Sequence, residues 1–184
     1  MIKKSILFFL TLVMSLFLFA DNIADKIKNA DNQYKKGYYE KAVNSLSEAI
    51  MMIKNKSSLK ITKTVLCTSI RGYGDYTKID GYSLKVKQPL LLYIEVEGFK
   101  VLKENEKYLF SLSQDVKITD DSGKILFQKK DWVTYKKSFP VPLFPFHITN
   151  RITDIPKGKY KYEITINDHY RKRFTTKTFN FEVK

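Results

Sequence analysis

The 184-residue sequence is poor in the residues that staple or catalyse: one cysteine, two histidines and one tryptophan, with five prolines and seven glycines. One cysteine cannot close an intramolecular disulfide, so the core must hold the fold unaided. One cysteine and two histidines, His147 and His169, also fall short of a zinc ligand set, which takes three or four such groups. No Gly-x-Ser-x-Gly elbow and no Gly-rich phosphate loop is present; Gly72-Tyr73-Gly74 lacks the Lys that such a loop requires. Acidic residues are scarce too, 19 against 33 Lys+Arg, for a formal charge of +14. What is abundant is apolar and aromatic: 43% hydrophobic and 14% aromatic residues exclude a disordered tail or a collagen-like fibre. At 28% charged residues the chain is not a polytopic membrane protein.

Long apolar runs are missing with one exception. Met1-Ile2-Lys3-Lys4 is followed by an apolar stretch from Ile6 to Phe19, and Ala20 precedes Asp21-Asn22. A charged start, a short apolar run and a small residue at its end describe a secretory signal peptide over 1–20, cut between Ala20 and Asp21. The run is shorter than the roughly 20 residues a membrane span needs, although an uncleaved N-terminal anchor is the alternative. The expected location is therefore exported: periplasmic, with secreted or N-terminally anchored forms as alternatives. A processed chain is not an integral membrane protein. In such a compartment a basic balance points away from nucleic acid and toward anionic envelope polymer, glycan or lipid headgroups.

Residues 21–58 carry a helical pattern. Ile23, Ile27, Ala30 and Tyr34 share one face, Lys35-Lys36-Gly37 interrupts it, and Tyr39, Ala42, Val43, Leu46, Ala49, Ile50 and Ile53 form a second stripe. This predicts an antiparallel helical hairpin. The stretch 23–55 resembles a single tetratricopeptide (TPR) repeat, with Ala30 closing the helices, Gly37 in the turn, an aromatic Tyr39 opening the second helix, and Ala42, Leu46 and Ala49 following. The Trp-Leu opening of that family and its closing Pro are absent, and one repeat stands where three or more normally stack. The hairpin then either packs on the following domain or on a twin copy, or offers a docking surface for another protein's segment. The resemblance implies Tyr34, Tyr38, Tyr39 and Leu46 as partner contacts.

From Leu59 the period changes to two. Alternating segments at Ile61–Cys67, Tyr108–Ile118, Tyr160–Ile166 and Phe179–Val183, a nearly continuous apolar run at Leu90–Val96, and a turn at Asp120-Asp121-Ser122-Gly123 before Ile125–Phe127 read as strands. Weaker strands fit Tyr82–Val86 and Phe146–Ile152. Without crossover helices the sheet must be mainly antiparallel. The expected fold is α+β, mainly β: an N-terminal helical hairpin, then a seven- to eight-stranded β-sandwich over 59–184, with a β-barrel as the alternative. Ile155-Pro156-Lys157-Gly158-Lys159-Tyr160 resembles the tyrosine corner of immunoglobulin-like and fibronectin III-like domains.

Two further stretches offer contact residues: the loop Arg71-Gly72-Tyr73-Gly74-Asp75-Tyr76, giving Arg71, Tyr73 and Tyr76, and the Lys-flanked, Pro-rich region around Trp132. The latter is either an exposed patch or a strap over the sandwich end, and Arg171-Lys172-Arg173 reads as a solvated hairpin tip. Cys67 reads as a buried small residue on a strand. No nucleophile–base pair, metal set or cofactor can be named. The functional expectation is an exported, non-catalytic accessory protein that binds another envelope protein. Electrostatic binding to an anionic polymer is the alternative, and a hydrolytic enzyme the remotest.

Overall fold

A computed structural model describes residues 23–184; the signal-like segment and the Ala20–Asp21 bond lie outside the described residues. The chain forms two compact units that divide between Ile53 and Lys54.

In the first unit, residues 23–35 form helix α1 and Tyr39 begins helix α2 (Tyr39–Lys56). Gly37 takes φ 77°, the left-handed conformation that closes a helix at little cost only for glycine. Its N–H donates to the Tyr34 carbonyl at 2.9 Å, and the Tyr38 N–H donates to Gln33 at 2.9 Å. The helices meet through small residues: Ala30, Ala42, Ser45 and Ala49 are buried. Polar ties flank the seam: Lys26 pairs with Glu48, and the Ser45 hydroxyl donates to Gln33 Oε1 at 3.0 Å.

The second unit holds ten strands: β1 (Lys60–Gly72), β2 (Asp75–Lys78), β3 (Ser83–Leu84), β4 (Leu90–Glu97), β5 (Leu102–Glu104), β6 (Lys107–Asp120), β7 (Ile125–Phe139), β8 (His147–Ile152), β9 (Gly158–Asp168) and β10 (Arg173–Val183). They make a four-stranded sheet, β2-β1-β4-β8, and a six-stranded sheet in which β3-β10-β9-β6 run side by side and both β5 and β7 pair with β6. Neither sheet closes into a barrel. All pairings are antiparallel except the short β3–β10 contact. The sequence pattern expects seven or eight strands; the additional ones are β2 and β5, four and three residues long, too short to show a period.

Inward-facing residues of both sheets build one core, in which Leu92, Ile94, Phe110, Leu112, Tyr162 and Ile164 are fully buried. A polar chain crosses it: Gln114 Nε2 on β6 donates to Asn150 Oδ1 on β8 at 2.6 Å, and Asn150 Nδ2 donates to the Tyr162 hydroxyl on β9 at 2.9 Å. Such a link fixes how the two sheets face each other, since a slip would orphan buried polar groups. Burial pushes the Tyr162 phenol well above its ordinary value. The Tyr160 hydroxyl donates to the Pro156 carbonyl at 2.9 Å, the tie that a tyrosine corner makes.

Two local expectations change. The Lys129–Lys137 stretch is neither patch nor strap but the body of β7, a 15-residue strand on the side of β6 opposite β9. Its Phe127, Trp132, Tyr135 and Phe139 pack against the core, but Asp131 at φ 46° breaks the register at a bulge and so interrupts the alternation. Only the Pro-rich residues that follow act as a strap, with the Phe144 and Phe146 rings 5.4 and 4.8 Å from Phe110. Arg173, in turn, is no solvated tip. Its guanidinium pairs with buried Asp168 at 3.5 Å and donates to the carbonyls of Ser57 and Gly98. Asp168 also accepts from the Lys100 N–H at 2.9 Å. Gly98, at φ 75°, lies so close to Ser58 that an added Cβ would sit 2.1 Å from its carbonyl oxygen, so no side chain fits there.

Candidate functional site

The hairpin seam decides what its large residues do. Alanines at Ala30 and Ala42 let α1 and α2 approach closely, and the bulkier neighbours splay outward around a groove of about 400 Å³. Ile27, Tyr34, Tyr39, Val43 and Leu46 line it, with Asp31 as the polar member. Asp31 is occupied by Lys35 at 2.7 Å. Tyr34 and Tyr39 are 64% and 62% exposed, and their rings stand 5.7 Å apart. Of the four residues implied by the TPR resemblance, three line this groove; Tyr38 lies outside its lining, with the Lys41 ammonium 5.1 Å from its ring. The turn end is basic, with Lys35, Lys36 and Lys41 beside the tyrosines.

The Arg71–Tyr76 stretch is the β1–β2 hairpin at the edge of the four-stranded sheet. Arg71 closes on Asp75 at 2.5 Å, which holds the Asp75 carboxyl below the usual carboxylate range. Tyr76 packs on Tyr93 at 4.4 Å, and His147 stacks on the other rings, 5.2 Å from Tyr93 and 6.4 Å from Tyr73. Beneath them the Tyr93 hydroxyl donates to Glu95 at 2.9 Å and accepts from the Gly74 N–H at 2.9 Å, while Lys63 pairs with Glu95 at 3.0 Å. Burial pushes the Tyr93 phenol up to about 12 and the His147 imidazole below its ordinary value. The cluster satisfies itself: Arg71, Glu95 and the Tyr93 hydroxyl all have partners within the chain, and of its aromatic rings Tyr73 alone stands half exposed.

Trp132 belongs to another surface, packed on the core with its ring edge-on to Phe127 at 5.4 Å. The structure therefore joins Tyr73 and Tyr76 to His147 and separates them from Trp132. Tyr93 and Glu95 escape a sequence reading because they sit inside a run that looks uniformly apolar. The Asp168–Arg173 clamp escapes it because its partners lie far away in the chain.

Cys67 is buried, its thiol raised by desolvation and directed at the Val65 carbonyl at 3.4 Å. Among the described residues no three of His, Cys, Asp and Glu converge where they could hold a metal ion.

No protein-family model and no curated relative matches the chain. Among solved structures, a superoxide reductase (neelaredoxin) from Ignicoccus hospitalis aligns at 10% identity and a TM-score of 0.32, covering 70% of this chain and 81% of that one. A CARDB domain from Pyrococcus furiosus, described in complex with di-metal ions, aligns at 16% identity and a TM-score of 0.32, covering 70% of this chain and 95% of that one. Similarity at this level carries no argument about activity.

Proposed function

We propose that the chain is an exported, non-catalytic accessory protein whose TPR-like hairpin binds an apolar, acid-flanked segment of another envelope protein. The groove around Tyr34, Tyr39 and Leu46 carries this reading: it is an apolar surface on a unit whose buried residues are almost all small. Its lysine-bearing turn end selects the charge of the occupant, because Lys36 and Lys41 complement Asp or Glu beside the apolar anchors. Export rests on the Met1–Ala20 pattern.

Peptide display against the chain 21–184 tests it. The expected selection is apolar segments flanked by Asp or Glu, with binding lost in a Tyr39→Ala/Leu46→Glu variant whose sheet circular dichroism is unchanged. Peptides with no acidic bias, or binding indifferent to the variant, would overturn the reading.

A further inference from the structure

The groove is one end of a longer apolar stripe. Along α2, Tyr39, Val43, Leu46, Ile50 and Ile53 follow at intervals of four, three, four and three, the spacing at which one helix seats its knobs in the holes of another. All five stand at least 42% exposed, and Ile50 and Ile53 lie beyond the groove lining. The seam with α1 is a different face: buried Ala42, Ser45 and Ala49 lie about a quarter of a turn around the helix from the stripe. From the other wall of the groove α1 adds Ile27 and Tyr34, two turns apart.

The exposed area is that of an interface. With roughly 150–250 Å² available to each such side chain, the exposed fractions amount to roughly 700 Å² per hairpin, close to the ~800 Å² that each partner brings to an interface of standard size. Two hairpins pressed together on this stripe make an antiparallel four-helix bundle, in which each covers the face that the other cannot bury alone.

The charges beside the stripe say what the occupant is. On its flank away from α1 stand Glu40, Ser47 and Lys54, seven residues apart, with Glu40 in the first turn of α2 and Lys54 in the last. Among the described residues no ion pair engages Glu40 or Lys54. A second copy running antiparallel about a two-fold axis beside Ser47 sets Val43 against the partner's Ile53 and Leu46 against the partner's Ile50. The same register brings Glu40 to the partner's Lys54 and Lys54 to the partner's Glu40, so opposite charges meet twice. Parallel copies would set Glu40 on Glu40 and Lys54 on Lys54. The stripe is self-complementary in one direction only.

We infer that the hairpin pairs with a second copy of this chain through the α2 stripe, as a symmetric antiparallel dimer. The pairing covers Val43 and Leu46 of the groove. Where it rests on the segment-binding reading above, it adds the regulation of that groove: the dimer is the closed form, and a bound segment displaces the partner copy. The pairing itself depends on this chain's residues alone.

Sedimentation equilibrium of the chain 21–184, with no peptide present, tests the dimer apart from segment binding. At about 100 µM the expected mass is that of two chains. Leu46→Glu/Ile50→Glu should return it to that of one, with the sheet circular dichroism unchanged. Glu40→Lys alone and Lys54→Glu alone should each weaken association by about threefold or more, because each sets like charges together twice. Mixed in equal amounts, these two variants should associate within about twofold of the parent chain, since every pair is opposite again. A single-chain mass at about 100 µM would overturn the pairing. So would a dimer indifferent to Leu46→Glu/Ile50→Glu, or charge variants that change nothing or are not restored by mixing. Peptide selection is read in the separate display experiment, so the loss of either reading leaves the other visible.

Discussion

The hairpin and the sandwich use apolar residues in opposite ways. In the sandwich, large side chains point inward: Phe110, Leu112, Tyr162 and Ile164 have no exposed surface, and four phenylalanine rings lie within 6.1 Å of Phe110. In the hairpin, the buried apolar residues are Ala30, Ala42 and Ala49 with Met51, while Ile27, Tyr34, Tyr39, Val43, Leu46, Ile50 and Ile53 stand at least 42% exposed. Burial stabilises by roughly 25 cal/mol per Å² of apolar surface, so the first unit gains little from the residues that would contribute most. The same amino acids serve cohesion in one unit and remain available for contact in the other.

Substitutions sharpen that contrast. Phe110→Ala should cost about 3–5 kcal/mol in urea unfolding, because it empties a fully packed aromatic site. Arg173→Met comes next, at about 2–4 kcal/mol, since it strands the fully buried Asp168 carboxylate. Arg173→Lys should recover little of this, because an ammonium cannot reproduce the forked contacts to Ser57 and Gly98. Leu46→Ala and Tyr39→Ala should each cost less than about 1 kcal/mol in the same measurement. A loss there matching that of Phe110→Ala would break the comparison, since the groove would then be cohesive.

The smallest expected effect concerns pH. Burial holds His147 below its ordinary value, Glu95 opposing and Lys137 reinforcing that shift. The fold therefore binds the proton less readily than the unfolded chain. The stabilisation is complete above the unfolded value of about 6.5 and is lost as pH falls toward the lower folded value. In His147→Gln the slope of stability against pH should flatten in that window relative to the parent chain. Parallel pH profiles for the two would show that the imidazole stays neutral for no energetic reason of its own.

Much of this architecture is legible in the sequence where solvent lies on one side only. Tyr160–Ile166 alternates because β9 has one dry and one wet face, and the hairpin shows in its helical stripes because the Gly37 turn interrupts them. Reading fails where the alternation lapses. Lys129–Lys137 lies in the longest strand, Ile125–Phe139, but the bulge at Asp131 shifts the alternation between Phe127 and Tyr135, so no period of two runs through it. Tyr93 is covered on the outer face too, so its run looks like a strand buried among helices. The groove residues show in two helical stripes, Tyr34 on that of α1 and Tyr39 and Leu46 on that of α2, but a stripe does not say whether its large members turn inward; the alanines at the seam decide that.

The Arg173 clamp has a consequence for the order of assembly. It joins residues 116 positions apart, Arg173 and Ser57, and positions 75 apart, Arg173 and Gly98. Contacts of such range repay their loop-closure entropy late, and folds built on them assemble slowly. Pairing with β4 fixes the start of β1 early, at Lys60 opposite Glu97, whereas the tie from Ser57 and Gly98 to the other sheet waits for Arg173.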